Sequence, residues 1–255
     1  MRAVVLAAGY ATRLRPLTDT IPKQLLPIAD RPMIDWVCDR IEAVTRDIHL
    51  VTNARFADDF RRWASGRDGI VVHDDGTLSN EDRLGAIGDI AFVLERTGME
   101  DDLLVVAGDN LFDFALADFA QFGSTKGVAS TVAVYDCGDL ELATHYGVVE
   151  TDADDRVTGF EEKPSEPRST LVATAAYLYA REHVPLVERY LADGNPPDQP
   201  GRLVAWLYQR EPVYAYRFGG PWFDIGNPEQ LLEADNRWRE RVGLPPRDTY
   251  TTGDA

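Results

Sequence analysis

The segment Val4 to Met33, VVLAAGYATRLRPLTDTIPKQLLPIADRPM, restricts the fold of this chain more than any other. The apolar run Ala3 to Ala8 has the composition of a buried strand. It breaks at once into Gly9, Tyr10, Ala11 and Thr12, a turn rich in backbone N–H groups. A strand of this kind in an α/β sheet delivers its carboxyl end to a ligand crevice. Arg13 and Lys23 then add fixed positive charge beside the turn, and the ligand expected there is a polyphosphate. Two other small-residue phosphate motifs are excluded. The dinucleotide fingerprint needs three glycines and an acidic residue closing the second strand, whereas here Gly9 stands alone and the next strand reads His49-Leu50-Val51-Thr52-Asn53. A P-loop needs Gly-Lys-Ser/Thr, which this segment lacks.

Periodicity extends the α/β reading along the chain. Met33 to Val44, Asp58 to Ala64 and Gly85 to Leu94 read as helices, and Ile48 to Thr52, Ile70 to His73 and Leu103 to Ala107 as strands. Short apolar strands alternating with helices predict a Rossmann-like, doubly wound mixed sheet with helices on both faces. From Val128 the segments become β-branched. Ala129 to Tyr135, Gly147 to Glu150, Arg156 to Phe160, Leu171 to Tyr179 and Val213 to Phe218 read as strands, with a hairpin turn at Asp152 to Asp155. The shorter ones are expected to fold over the open edge of the crevice. Val184 to Leu191 and Leu203 to Tyr208 are helical, and Pro228 opens a last helix reaching about Arg241. Residues 1–244 are therefore read as one domain, and 245–255 as a loose polar tail.

The 255 residues carry 43 acidic against 26 basic side chains, a formal charge of −17 that argues against nucleic acid as a partner. No apolar run approaches the roughly 20 residues needed to span a bilayer, and the amino terminus opens directly into a strand. A cytoplasmic protein with no membrane partner is expected, and a homo-oligomer is compatible with the composition. Cys38 and Cys137 lie far apart without a partner motif and read as buried thiols; the four histidines show no ligand spacing and no triad with Ser or Cys. Lysine is used only at positions 23, 126 and 163, every other basic side chain being Arg, a bias that fits a GC-rich genome or a salt-adapted organism. Two of those lysines fall in Pro-Lys and Glu-Lys-Pro, where a compact point charge suits a phosphate.

The ordered set Gly9, Thr12-Arg13-Leu14, Pro16, Thr18 and Pro22-Lys23, continued by Leu26-Pro27 and Pro32-Met33-Ile34, resembles the signature of the sugar-phosphate nucleotidylyltransferases, such as the glucose-1-phosphate thymidylyltransferases and mannose-1-phosphate guanylyltransferases. Ala11 departs from it, standing where the family usually has a second glycine. The resemblance implies transfer of a nucleoside monophosphate from an NTP to a sugar 1-phosphate, with Mg²⁺ as cofactor. Arg13 and Lys23 would be the catalytic cations, and the backbone of Ala8, Gly9, Tyr10, Ala11 and Thr12 would bind the nucleotide. Gly85, in Leu84-Gly85-Ala86-Ile87-Gly88-Asp89, aligns with the family's segment near the nucleobase and would let the base approach the main chain. Asp109, after the strand LLVVA, and Asp224, in Trp222-Phe223-Asp224-Ile225-Gly226, would hold the metal. Gly147, Glu162, Lys163 and Thr174 would form the acceptor site, with Ala175 replacing a glycine the family often has.

Two rivals remain open on the sequence. A cytidylyltransferase acting on a non-sugar phosphate or phosphonate would tolerate the Ala175 departure. A non-catalytic nucleotide-sugar-binding regulator could share the fold, although Arg13, Lys23, Asp109 and Asp224 together speak against it.

Overall fold

The computed structural model describes residues 1–98 and 100–252. The chain begins with β1 (Arg2–Leu6), β2 (Pro27–Ile28), β3 (Arg31–Pro32), α1 (Met33–Glu42), β4 (Ile48–Thr52), α2 (Ala57–Ala64) and β5 (Ile70–Asp74). It continues through α3 (Ala86–Thr97), β6 (Leu103–Ala107), β7 (Asn110–Phe112), α4 (Leu116–Ser124), β8 (Ser130–Asp136), α5 (Leu140–Ala143) and β9 (Gly147–Thr151). The last part is β10 (Val157–Glu162), β11 (Leu171–Tyr179), α6 (Leu186–Ala192), α7 (Gly201–Leu207), β12 (Val213–Phe218), β13 (Trp222–Asp224) and α8 (Pro228–Val242).

A nine-stranded mixed sheet organises these elements, in the order β10-β9-β11-β6-β1-β4-β5, with β8 and β12 continuing from β11. Strands β6, β1, β4 and β5 are parallel. Alternate residues of one strand point to opposite faces, so Ala3 and Val5 of β1 enter a core with α1, α2, α4 and α8, while Val4 enters a second core with α3, α6 and α7. Both faces are thereby covered, as the alternation of short strands and helices predicts.

Connections from β1 run to β4 and β5 on one side, and the chain then returns to place β6 on the other. The order reverses between β1 and β6, the position at which open α/β sheets bind ligands outside their carboxyl ends. A short antiparallel ribbon, β7 with β13, stands at that edge and pairs Asp224 with Asn110. The predicted edge segments β9 and β10 extend the sheet as a ribbon joined to β11 at Val148 and Val172. Helix α4 has no counterpart in the sequence reading, although Leu116, Phe119 and Gly123 keep one buried face. Among the described residues no helix is long and apolar enough to cross a membrane.

The carboxyl-terminal segment differs from expectation. As far as Thr252 it is not a loose tail: Tyr250 Oη donates to Pro27 O at 2.7 Å, Asn236 Nδ2 donates to Arg247 O at 2.9 Å, and Arg247 pairs with Asp30. Polarity suggested a solvated end, but these groups find fixed partners on the β2–β3 turn and α8. The rest of the expected tail, 253–255, lies outside the described residues.

Candidate active site

The loop after β1 is built from its neighbours. Asn53, fully buried at the end of β4, donates through Nδ2 to Ala8 O at 2.9 Å, and Thr52 Oγ1 donates to Ala7 O at 3.3 Å. Ala11 adopts φ 45° and ψ 42°, the left-handed region that favours glycine, so the departure from the family pattern falls where the backbone demands most of it. Thr18 Oγ1 holds that conformation by donating to Ala11 O at 2.9 Å, which gives the Pro-x-Thr motif its purpose. Gly9 is exposed, and a side chain there would meet nothing within 4 Å, leaving open room over the turn.

Lys23 is 7% exposed and donates through Nζ to Asp109 Oδ2 at 2.8 Å. Asn110 links the two aspartates: its Nδ2 donates to Asp109 Oδ1 at 3.1 Å and to Asp224 Oδ1 at 3.2 Å, while its Oδ1 accepts from Trp222 Nε1 at 2.9 Å. The β7–β13 register thus brings a mid-chain and a late carboxylate to one point. Burial works to raise the Asp109 pKa, but the ammonium of Lys23 outweighs it and holds the group below the usual carboxylate range. Asp224 is pushed above that range by burial and by the negative charge of Asp109.

Two cavities meet at Asp224. One, of about 260 Å³, is lined by Ala11, Thr12, Arg13, Lys23 and Asp109; Arg13 has no ion-pair partner among the described residues. The other, of about 320 Å³, is lined by Asn110, Gly147, Glu162, Lys163 and Thr174. Lys163 stands at φ 51°, its N–H donating to Tyr146 O at 3.0 Å, and its ammonium has no ion pair among the described residues. A Cβ on Gly147 would lie 2.7 Å from the Phe160 ring, and one on Gly201 would lie 2.1 Å from Glu162 Oε2. Glycine at both positions leaves the Glu162 carboxyl its place, and burial raises its pKa.

Some residues stand differently from their expected roles. The space a side chain would take at Gly85 (φ 81°) is filled by Pro197 O, 2.8 Å from a built Cβ, so glycine is needed there for chain packing. Tyr10, whose expected contact is through its backbone, has a buried side chain whose hydroxyl bonds Thr77 Oγ1 at 3.1 Å. Thr174 reaches the second cavity, but its hydroxyl is donated to Ala133 O at 3.1 Å. Ala175, like Ala11, is at positive φ, 54°. Lys126 is occupied elsewhere, over the rings of Phe122 and Tyr214 at 4.7 Å.

The histidines form no triad with Ser or Cys by spacing, but the fold brings Ser130 Oγ to 2.8 Å from His183 Nδ1, with Glu211 Oε2 3.5 Å from His183 Nε2, which has no hydrogen-bond partner among the described residues. Ser130 and His183 are 1% and 3% exposed, so this trio joins strand ends and offers no nucleophile to a substrate. Cys38 is buried, its thiol pushed up to about 12, whereas Cys137 is half-exposed and donates to Asp139 O. Asn53, Asn110, Thr77 and Gly201 escaped the sequence reading. Of these, Asn110 could have been found from its position directly after Asp109.

Fold and site together define an α/β protein with a pocket on either side of a carboxylate pair, one lined by Arg13 and Lys23 and the other by Glu162 and Lys163. The chain belongs to the nucleotidyl transferase family, whose profile matches residues 2–241. It is 31% identical over 248 residues to a UTP–glucose-1-phosphate uridylyltransferase of Synechocystis, matching 92% of this chain and 62% of that protein. It is 25% identical to a bifunctional GlmU protein of Methanocaldococcus jannaschii, across 95% of this chain and 55% of the other. The chain thus spans little more than half to about three-fifths of the length of these relatives. A crystal structure from Bacillus anthracis, described as a glucose-1-phosphate thymidylyltransferase in complex with sucrose, has the same fold, with a TM-score of 0.81, 21% identity, and coverage of 99% of this chain and 98% of that one.

Proposed function

We propose that the protein transfers a nucleoside monophosphate from an NTP to a sugar 1-phosphate, producing an NDP-sugar and pyrophosphate. The observation that carries this reading is Asp224 bordering both cavities, one holding Arg13 and Lys23 and the other Glu162 and Lys163. Two phosphorylated substrates bound on either side would meet at the carboxylate pair. An acceptor phosphate oxygen would then attack the α-phosphorus in line, the bond to the leaving pyrophosphate breaking as the new one forms.

The protein's contribution is alignment and charge. Backbone N–H groups from Ala8 to Thr12 would cradle the nucleotide, Arg13 would meet the β/γ end, and Lys23 would face the α-phosphate. Lys163 would neutralise the acceptor phosphate, and Glu162 would accept from sugar hydroxyls. The donor set at Asp109 and Asp224 suits Mg²⁺, which takes hard oxygens from one or two carboxylates and completes its shell with water and substrate phosphate. Burial and the negative charge of Asp109 raise the Asp224 pKa despite Lys23 nearby, and a divalent cation held by both carboxylates would offset that repulsion. Bound there, Mg²⁺ would supply positive charge to the phosphate oxygens. The cytoplasm is the expected compartment, since an enzyme of this kind draws on soluble NTP.

A matrix of NTPs against sugar 1-phosphates, read by pyrophosphate release in the presence of Mg²⁺, tests the reading. Turnover with at least one pair is expected. Nucleotide binding without pyrophosphate from any pair would favour a regulator on the same fold.

A further inference from the structure

We propose that one proton shared between Asp75 and Asp89 holds the phosphate-facing loop in place, through Thr77 and Tyr10, and so sets the affinity for the nucleotide. This rests on the nucleotide site read above and adds positioning residues to it. Asp75 follows β5 at the crevice edge of the sheet, and Asp89 lies in the first turn of α3, 5% exposed. Asp75 Oδ1 accepts from both Thr77 N and Thr77 Oγ1, each at 2.7 Å. Thr77 Oγ1 spends its one hydrogen on that bond, so at the 3.1 Å contact Tyr10 Oη must be the donor. Tyr10, 6% exposed, belongs to the loop itself.

The carboxyl groups of Asp75 and Asp89 lie close enough for each to act on the ionisation of the other. Asp75 Oδ2 and Asp89 Oδ1 are both buried, and neither has a hydrogen-bond partner among the described residues. Two ionised carboxylates could not share that space, and neither has an ion-pair partner among the described residues. The further acids nearby are Asp74, beside Asp75, and Asp198, which is already paired with Arg83 at 3.0 Å. Around Tyr10 the charged groups are Asp75, Asp82 and Arg55. A retained proton resolves the conflict: Asp89 O–H donates to Asp75, whose remaining charge is directed at Thr77. The relay then has one polarity, from Tyr10 to Thr77 to Asp75, with Asp89 closing it from the other side. Burial and the charge of Asp75 push the Asp89 pKa up to about 8, so the lock is closed at neutral pH and opens as pH rises through that value.

Hydrogen exchange of the Gly9–Leu14 backbone in the ligand-free protein, compared at equal pH with Asp89→Asn, reads the lock directly. Asparagine keeps an N–H donor toward Asp75 and removes the titration. From about pH 7 to about pH 9 the wild-type loop should lose protection relative to Asp89→Asn, and Asp89→Ala should be unprotected throughout. With UTP and glucose 1-phosphate as probes, the KM for the nucleotide should rise about tenfold over that range in wild type, with kcat changing far less, and should stay level in Asp89→Asn. Tyr10→Phe, which keeps the ring and cuts the relay, should abolish the pH response of loop exchange even if Asp89→Asn folds poorly. Identical pH profiles for wild type and Asp89→Asn, or a Tyr10→Phe loop that still responds to pH, would overturn the proposal. Loop exchange that follows the acid pair in a protein that turns over no NTP would support the lock and count against nucleotidyl transfer instead.

Discussion

Replacing Asn110 with alanine should destabilise the ligand-free protein by about 3 kcal/mol, about 1.5 kcal/mol for each of two bonds donated to a carboxylate. The magnitude follows from what the 4% exposed side chain does: it donates to Asp109 at 3.1 Å and to Asp224 at 3.2 Å and accepts from Trp222 at 2.9 Å. The lengths of the two donated bonds place them at the weak end of the range for charged partners. Losing the acceptor for the Trp222 indole adds up to about 1 kcal/mol. Asp109 and Asp224 would also face each other with only Lys23 between their charges. Against a total of about 5–15 kcal/mol for a domain, such a loss is easily resolved by urea unfolding as a lower midpoint at unchanged slope. Added Mg²⁺ should recover part of it. A loss under about 1 kcal/mol would show that the carboxylates do not depend on Asn110 and refute the linkage.

Lys23→Ala should lower kcat by about a hundredfold or more in a folded protein, measured by pyrophosphate release under saturating substrates. Asp109→Asn and Asp224→Asn should each shift the Mg²⁺ titration of kcat to higher concentrations; an effect at Asp109 alone would leave Asp224 a structural residue. Lys163→Ala and Glu162→Ala should raise the acceptor KM far more than the NTP KM, with Glu162→Ala costing acceptor binding about 1.5–3 kcal/mol per lost hydroxyl bond to a charged group. Because burial raises the Glu162 pKa, its carboxylate is lost at a higher pH than for an exposed glutamate, so the acceptor KM should climb as pH falls and should not do so in Glu162→Gln. Ala11→Gly, relieving a left-handed alanine at roughly 1–2 kcal/mol against a glycine entropy of roughly 0.5–1, should stabilise the fold by about 0.5 kcal/mol in the same unfolding assay.

How far these features could be read beforehand depended on whether they were local. Strand β6 and the core face of α1 are visible because their apolar spacing is the direct imprint of burial. The loop around Ala11 was legible as a motif, whereas the left-handed backbone at Ala11 is seen only in the folded chain. What escaped depends on contacts distant in sequence. Asn53 reads as a strand-end residue, and only the β1–β4 pairing turns its side chain to Ala8 O. Gly201 sits in a stretch that looks like loop, and its requirement comes from Glu162 in another element. Gly85 shows the reverse: a motif position suggested a ligand contact, while the chain itself, at Pro197, occupies the space. Arg247 and Tyr250 lie in a polar end whose order comes from Asp30 and Pro27, more than 200 positions earlier.

The most direct test of a single displacement between the two cavities is the configuration at the α-phosphorus when an NTP made chiral at that atom is converted with a sugar 1-phosphate in the presence of Mg²⁺. In-line attack by the acceptor, with no covalent intermediate on the protein, predicts an NDP-sugar of inverted configuration. Retention of configuration, or failure to form a nucleotide sugar from any pair of substrates, would contradict it.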